Sequence, residues 1–124
     1  MEAKATWQSD MSFIGTADTG FEVRMDASEA SGGHNSGFRP TELLAMGTAG
    51  CTGMDVISIL RKKRAEVKGL EVRVHVDQAE TYPHVFTKMQ IEYVVTGHNI
   101  KRADVERAVE LSKEKYCPCI AMFK

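Results

Sequence analysis

Cysteine is the residue type in this sequence with the most evident capacity for chemistry, and Cys51 lies within a run of small residues. Gly47, Gly50 and Gly53 surround it inside a segment that is otherwise bulky and apolar. Each glycine costs a helix interior about 1 kcal/mol relative to alanine, so three of them near one cysteine need an explanation. Two explanations carry equal weight here. Either helices pack closely around an inert thiol, or the sulfur has room for a substrate or a second thiol.

The other two cysteines form a C-x-C pair, Cys117-Pro118-Cys119, near the end of the sequence. Such a pair is compatible with two ligands of a metal site, a redox-active pair or two unrelated thiols. A zinc site needs further cysteine or histidine ligands at short spacing. The histidines are instead dispersed, at His34, His75, His84 and His98. We therefore expect neither a metal site nor a cofactor.

The elements that must position these thiols follow from hydrophobic periodicity. Alternating apolar residues predict three short antiparallel strands, at 3–7, 11–14 and 21–25. Residues 28–37 are rich in serine and glycine, which predicts a loop. Pro40 then opens a helix predicted to run to about Arg64, because proline suits the first helical position.

The remainder of the sequence predicts a long hairpin followed by a second helix. Residues 70–77 and 85–95 alternate strictly, with a turn near 82–84, and one face of this hairpin should be solvated. Asp104 is predicted to cap the second helix, which ends at Cys117 because a proline follows. Residues 120–123 are either a strand or a tail. The order β-β-β-α-β-β-α predicts an α+β fold with an antiparallel sheet, in one domain spanning residues 1–124.

The central helix is apolar on nearly all sides, so it must be covered on nearly all sides. One small sheet and one further helix are not enough to cover it within a single chain. The sequence therefore predicts a homodimer in which this helix also packs against its symmetry mate.

Charge and composition exclude several classes of function. The 16 basic and 17 acidic residues nearly cancel, and the one dense basic cluster, 61–64, sits where cations favour a helix end. Nucleic-acid binding is therefore not expected. No apolar stretch is expected to span a membrane, and no signal peptide is recognised, so we expect a cytoplasmic protein with free thiols.

These residues together resemble the OsmC and organic-hydroperoxide-resistance family, and its OsmC-like branch in particular. The resemblance rests on Arg39-Pro40-Thr41-Glu42-Leu43-Leu44, Gly47 and Gly50-Cys51, with Tyr116-Cys117-Pro118 far downstream. It extends over nearly the whole chain, through Met25-Asp26-Ala27-Ser28, Asp55-Val56-Ile57-Ser58-Ile59-Leu60 and Leu111-Ser112-Lys113-Glu114-Lys115-Tyr116.

The resemblance implies an intertwined α+β homodimer with redox-active cysteines at the subunit interface. The residue matching Cys51 would attack a peroxide oxygen and become a sulfenic acid. The residue matching Cys117 would condense with it into a disulfide, which a dithiol reductant, either lipoyl-type or a small thiol, would reopen. Family members favour organic hydroperoxides, which would be the substrate class here.

The sequence departs from the family in the residues that activate the thiolate. The characterised peroxidases place a glutamate directly after the helix-opening proline, where it holds an arginine. Here that position is Thr41, and the carboxylate follows one residue later at Glu42. One step along a helix rotates a side chain by about 100°, so Glu42 could equally be a first-turn partner of the helix dipole. Arg24 is the best candidate for the arginine, ahead of Arg39.

The leading interpretation is a thiol-dependent peroxidase with Cys51 peroxidatic, Cys117 resolving, and Arg24 and Glu42 supporting. The alternative is a non-catalytic redox sensor or thiol-ligand binding module with the same fold. A third reading is a dimer with inert core thiols. Cys119 either competes as the resolving thiol or is incidental.

Overall fold

Three antiparallel strands form the first of two units in this structure. The computed structural model describes residues 1–124, as the units Met1–Leu44 and Ala45–Lys124. Strands β1 (Ala3–Ser9), β2 (Ser12–Ala17) and β3 (Glu22–Met25) form one sheet in the order β1-β2-β3. The three predicted strands are therefore confirmed.

A buried carboxylate organises the loop that follows β3. Asp26 accepts hydrogen bonds from the backbone N–H of Ala27 (2.7 Å), His34 (3.0 Å) and Ser36 (3.1 Å). The Ser36 hydroxyl donates a fourth, at 2.7 Å. These donors hold the pKa of Asp26 well below its usual range, with the Ser36 hydroxyl the largest cause. The polar loop seen in the sequence is thus folded around one charge.

Helix α1 (Pro40–Lys62) begins at the predicted proline and ends within two residues of the predicted position. Its buried residues recur every fourth position and form a single stripe. The stripe consists of Thr48, Thr52, Val56 and Leu60. Apolar side chains elsewhere on the helix are exposed, among them Met54 at 72%. The chain alone therefore does not bury α1 on all sides, as expected from the small number of elements available to cover it.

Helix α1 also meets the length and composition of a membrane-spanning helix. This corrects the expectation that no apolar stretch approaches such a length. The core helix of an ordinary globular protein passes the same test, so the finding is weak evidence for a membrane span. The helix also carries Asp55, whose carboxylate takes part in a hydrogen-bond network described below.

The second unit is built on a long hairpin. Strands β4 (Glu66–Gln78) and β5 (Phe86–His98) pair antiparallel along their whole length, and the loop between them contains a cis peptide bond before Pro83. Helix α2 (Arg102–Leu111) follows, then a π-helical turn, Ser112–Tyr116. The core of this unit is Val56, Leu60 and Ala108, packed against apolar residues of β4, β5 and α2.

Three details of the prediction need correction. The chain forms two separate sheets, β1-β2-β3 and β4-β5, and not one. Helix α2 begins at Arg102 with Lys101 as N-cap, so Asp104 lies in the first turn and caps nothing. The last segment is neither strand nor tail, because Pro118–Met122 form a short helix, α3. A proline at its first position, as for α1, favoured this outcome.

Candidate active site

All three cysteines of the chain meet in the second unit. The thiol of Cys51, in the middle of α1, is in hydrogen-bonding contact with the thiols of Cys117 and Cys119. Cys117 and Cys119 also contact each other. None of the three forms a disulfide in this structure. Cysteines distant in sequence are thus brought into contact with one another.

The three thiols differ in exposure and in hydrogen bonding. Cys117 is buried, with 3% of its surface exposed, whereas Cys51 and Cys119 are half-buried. The Cys117 sulfur caps α3 by accepting a hydrogen bond from the backbone N–H of Ile120, at 3.4 Å. Burial is the main cause that raises the pKa of Cys117 to about 11, and the Cys51 thiol adds to it. Burial, followed by contact with Cys51, also raises the pKa of Cys119.

A buried chain of hydroxyl groups lies directly beside this cluster. The Thr52 hydroxyl is 2.8 Å from that of Tyr93 on β5 and 2.7 Å from that of Ser112. The Ser112 hydroxyl donates to the Asp55 carboxylate at 2.8 Å. Each hydroxyl has one proton, so Thr52 must donate to Ser112, and Tyr93 must donate to Thr52. All three hydrogen bonds of this chain are therefore donated in the direction of Asp55.

This network fixes the segment that carries Cys117. Ser112 is joined to α1 through its side chain, to Thr52 and Asp55. Its carbonyl accepts the backbone N–H of Cys117 at 2.9 Å, which is the wide hydrogen bond of the π-turn. Such turns inside helices are often found at functional sites. One residue thus links the helix of Cys51 to the backbone of Cys117.

The sequence periodicity did not indicate this network. Tyr116, the last residue of the π-turn, is 49% exposed. The available clue was the spacing of Thr48 and Thr52 with Val56 along α1. Hydroxyls on the buried stripe of a helix need partners, and those partners lie on other elements.

An apolar cavity of about 400 Å³ shares residues with this region. Its lining consists of Met89, Ile91, Tyr93, Val109, Lys113, Ile120, Phe123 and Lys124. Tyr93 belongs to the hydroxyl chain, and Ile120 donates to the Cys117 sulfur. An apolar molecule in this cavity would therefore be close to the elements that hold the thiols.

The glycines around Cys51 have different surroundings. A side chain at Gly53 would meet Val72 of β4 at 3.3 Å, so this glycine allows α1 to approach the hairpin closely. A side chain at Gly47 or Gly50 would meet no atom of the chain within 4 Å. Close packing within the chain therefore explains one of the three glycines and leaves two facing open space.

Arg24, Glu42 and Arg39 all lie in the first unit, and the structure gives each a local role there. The Glu42 carboxylate accepts the backbone N–H of Arg39 at 2.8 Å, as in a capping box, which stabilises the start of α1. The Arg39 guanidinium donates to the Asn35 side chain at 2.5 Å. Arg24 is exposed on β3, and its carbonyl accepts the backbone N–H of Phe38. Their proposed effect on Cys51 stays a prediction.

The chain combines a long central helix, two antiparallel sheets and a cluster of cysteines at that helix, and these features define its class of α+β protein. The chain belongs to the OsmC-like family, whose model, described as OsmC-like protein, matches residues 33–124. It is 36% identical to the protein YhfA of Escherichia coli K12, over all of this chain and 90% of YhfA. The resemblance to the OsmC-like branch is therefore confirmed.

Solved structures support the same assignment. A hypothetical protein from Aquifex aeolicus is 33% identical, with a TM-score of 0.84 over 98% of this chain and 84% of that one. An organic hydroperoxide resistance protein OsmC from Legionella pneumophila has a TM-score of 0.70 over 99% of this chain and 88% of that one. At 18% identity, this second likeness establishes the fold alone.

Proposed function

We propose that this protein is a thiol-dependent peroxidase that reduces organic hydroperoxides through Cys51, with Cys117 as the resolving thiol. The observation that carries the proposal is the contact between the Cys51 and Cys117 thiols. The description of the Legionella protein as an organic hydroperoxide resistance protein supports the substrate class.

Each proposed step balances in atoms and electrons. The Cys51 thiolate attacks one peroxide oxygen, the O–O bond breaks, and an alcohol leaves after taking up a proton. The sulfenic acid so formed condenses with the Cys117 thiol, which forms the S–S bond and releases water. A dithiol then reduces the disulfide and is itself oxidised. The sum is one hydroperoxide and one dithiol converted into alcohol, water and disulfide.

The test measures consumption of cumene hydroperoxide by the purified protein with a dithiol, such as dihydrolipoamide, as reductant. We expect multiple turnovers by the wild type, none above background by Cys51→Ser, and a stalled oxidised form with Cys117→Ser in a Cys119→Ser background. Equal consumption by wild type and Cys51→Ser would overturn the proposal.

A redox sensor is the second candidate, and the burial of Cys117 favours it. A buried resolving thiol whose pKa is raised to about 11 is a slow nucleophile near neutral pH, and its disulfide is shielded from reductants. A sensor would form the Cys51–Cys117 disulfide once per oxidant and show no turnover with any dithiol. The same assay therefore separates the two functions.

The remaining features of the proposal are a homodimer, a lipoyl-type or small dithiol as reductant, and a cytoplasmic location. Arg24 and Glu42 are proposed to support the Cys51 thiolate. The open space beside Gly47 and Gly50 and the exposed apolar face of α1 support the homodimer.

A further inference from the structure

We propose that Cys119 is a second resolving thiol, able to capture the Cys51 sulfenic acid without Cys117. This inference rests on the proposed chemistry of Cys51 and extends it to a residue outside the cysteine pair of the family resemblance. The geometry behind it is the three-way contact in which the Cys51 thiol meets both Cys117 and Cys119. Contact with the attacked sulfur is the first requirement of a resolving thiol.

The Cys117 sulfur already has a structural role. It accepts the N–H of Ile120 as the cap of α3 and is almost wholly buried. A disulfide with Cys51 would change the sulfur that accepts this hydrogen bond and so weaken the cap. Cys119 lies inside the first turn of α3, is half-buried and caps nothing in the structure. Its sulfur can therefore turn without uncapping the helix.

Reopening of the disulfide also favours Cys119 over Cys117. A reductant must reach one sulfur of the disulfide and attack it in line. A disulfide between Cys51 and Cys119 joins two half-buried residues, whereas one to Cys117 has a buried partner. The Cys119 route therefore gives the dithiol better access and makes reduction faster.

The step balances in the same way as the first. The Cys119 sulfur attacks the sulfur of the Cys51 sulfenic acid, the S–S bond forms, and the S–O bond breaks with release of water. The thiol proton leaves with the hydroxyl group. The hydroperoxide is the oxidant, and the dithiol that reopens the bond is the reductant.

The experiment compares three variants, Cys117→Ser, Cys119→Ser and the double variant, after one equivalent of cumene hydroperoxide. Free thiols are counted with a maleimide mass tag, and the disulfide is identified by the mass of the joined peptides. In Cys117→Ser only one partner for Cys51 remains, so the joined peptide is unambiguous. We expect both single variants to lose two thiols to an intramolecular disulfide. The double variant should accumulate a sulfenic acid that dimedone traps.

A Cys117→Ser protein that yields only dimedone-trapped sulfenic acid overturns the inference, as does equal thiol loss in a Cys51→Ser control. A folded far-UV spectrum for Cys117→Ser guards against loss of the α3 cap. Diamide oxidation of the same variants needs no peroxidase activity. If the wild type ignores peroxide but diamide joins Cys51 to Cys119, the peroxidase proposal fails and the contact between the two sulfurs still stands.

Discussion

The hydroxyl of Ser112 lies 2.7 Å from the hydroxyl of Thr52, the residue that follows Cys51 in the central helix. Ser112 is also five residues before Cys117 and accepts the N–H of Cys117. One buried hydrogen bond therefore joins the residue next to Cys51 to the residue whose carbonyl holds the Cys117 backbone. Tyr93 and Asp55 extend that bond into a network in which every proton has a defined acceptor. We expect this network to position the thiols without taking part in the bonds that change.

Ser112→Ala should weaken both the fold and disulfide formation. It leaves the Thr52 proton without its acceptor and the Asp55 carboxylate without the Ser112 donor, although Tyr93 still donates to Thr52, and the loss costs about 1–3 kcal/mol of the free energy of unfolding. Urea denaturation checks the stability. The rate of Cys51–Cys117 disulfide formation with diamide, in a Cys119→Ser background, checks positioning. Ser58→Ala, an exposed serine on the same helix, is the matched control and should change neither. An unchanged disulfide rate in Ser112→Ala would show that the network does not position the thiols.

The thiol of Cys117 should alkylate slowly and with a strong dependence on pH. Its pKa of about 11, against an ordinary 9.0, lowers the thiolate fraction at neutral pH roughly a hundredfold. The rate of iodoacetamide labelling in a Cys51→Ser, Cys119→Ser background should rise tenfold per pH unit up to about pH 11. The same chain in urea, where burial is lost, provides the reference. Labelling of the folded protein that levels off near pH 9 would contradict the raised pKa.

The raised pKa of Cys117 also has a consequence for stability. A folded pKa above the unfolded value means that the native state holds the proton more tightly. The protonated Cys117 thiol therefore makes its full contribution to the free energy of unfolding below pH 9, and this contribution is lost as the pH rises toward 11. The difference between Cys117→Ser and wild type in unfolding free energy should therefore shrink over this range. Cys119 titrates there too, so the comparison is made in a Cys119→Ser background.

Local periodicity was sufficient to predict most of the fold. The strands β4 and β5 alternate because one face is solvated, and α1 starts at a proline, so both are local features of the sequence. The cap was misplaced at Asp104 because the actual N-cap, Lys101, makes no side-chain cap hydrogen bond and so carries no capping signal. Helix α3 was missed because five residues are too few to show a helical period.

The candidate site was less predictable because its contacts are long-range. Cys51 and Cys117 were paired through the family resemblance, and no spacing rule joins residues so far apart in sequence. The sequence left open whether Cys119 competes as the resolving thiol or is incidental, because only the fold of the π-turn and α3 brings it to Cys51. For Glu42 the sequence offered a local role at the start of the helix as well as a long-range role at the thiolate. The structure contains the local contact, with the backbone N–H of Arg39.

Two variants of Glu42 separate its structural role from any effect on the thiolate. Glu42→Gln keeps an oxygen that can accept the Arg39 N–H, whereas Glu42→Ala does not. We expect Glu42→Ala to lose about 1 kcal/mol of unfolding free energy and Glu42→Gln to lose much less. If the carboxylate also supports Cys51, peroxide consumption falls in both variants, and Arg24→Gln falls with them. Full activity in Glu42→Gln would restrict Glu42 to capping.

Asp26 should make the first unit sensitive to acid. Its lowered pKa means that the folded state favours the carboxylate, so its stabilisation is present above pH 3.8 and is lost as the pH falls toward its lower folded pKa. Urea unfolding of the wild type should therefore weaken below pH 4, and Asp26→Asn should remove that part of the dependence while lowering stability at pH 7. Glu29→Gln changes an exposed acid in the same loop and serves as the control. Equal pH profiles for wild type and Asp26→Asn would contradict the role of the loop charge.

The exposed face of the central helix should be the surface where two copies of the chain meet. On this face a groove of about 470 Å³ runs between α1 and β4, lined by Ala49, Gly50, Gly53, Met54, Ile57, Leu70 and Val72. Large apolar surfaces of this kind are costly in water, and Gly50 leaves space for a close approach by another backbone. We expect the wild type to have twice the mass of the chain in light scattering at micromolar concentration. Met54→Glu should shift it toward the monomer, by at least tenfold in dissociation constant, because a charge would be buried at the contact. Met122→Glu introduces the same charge at a methionine of similar exposure, 79% against 72%, and should leave the dimer intact. A monomeric wild type would refute the dimer, and equal weakening by both variants would place the contact elsewhere.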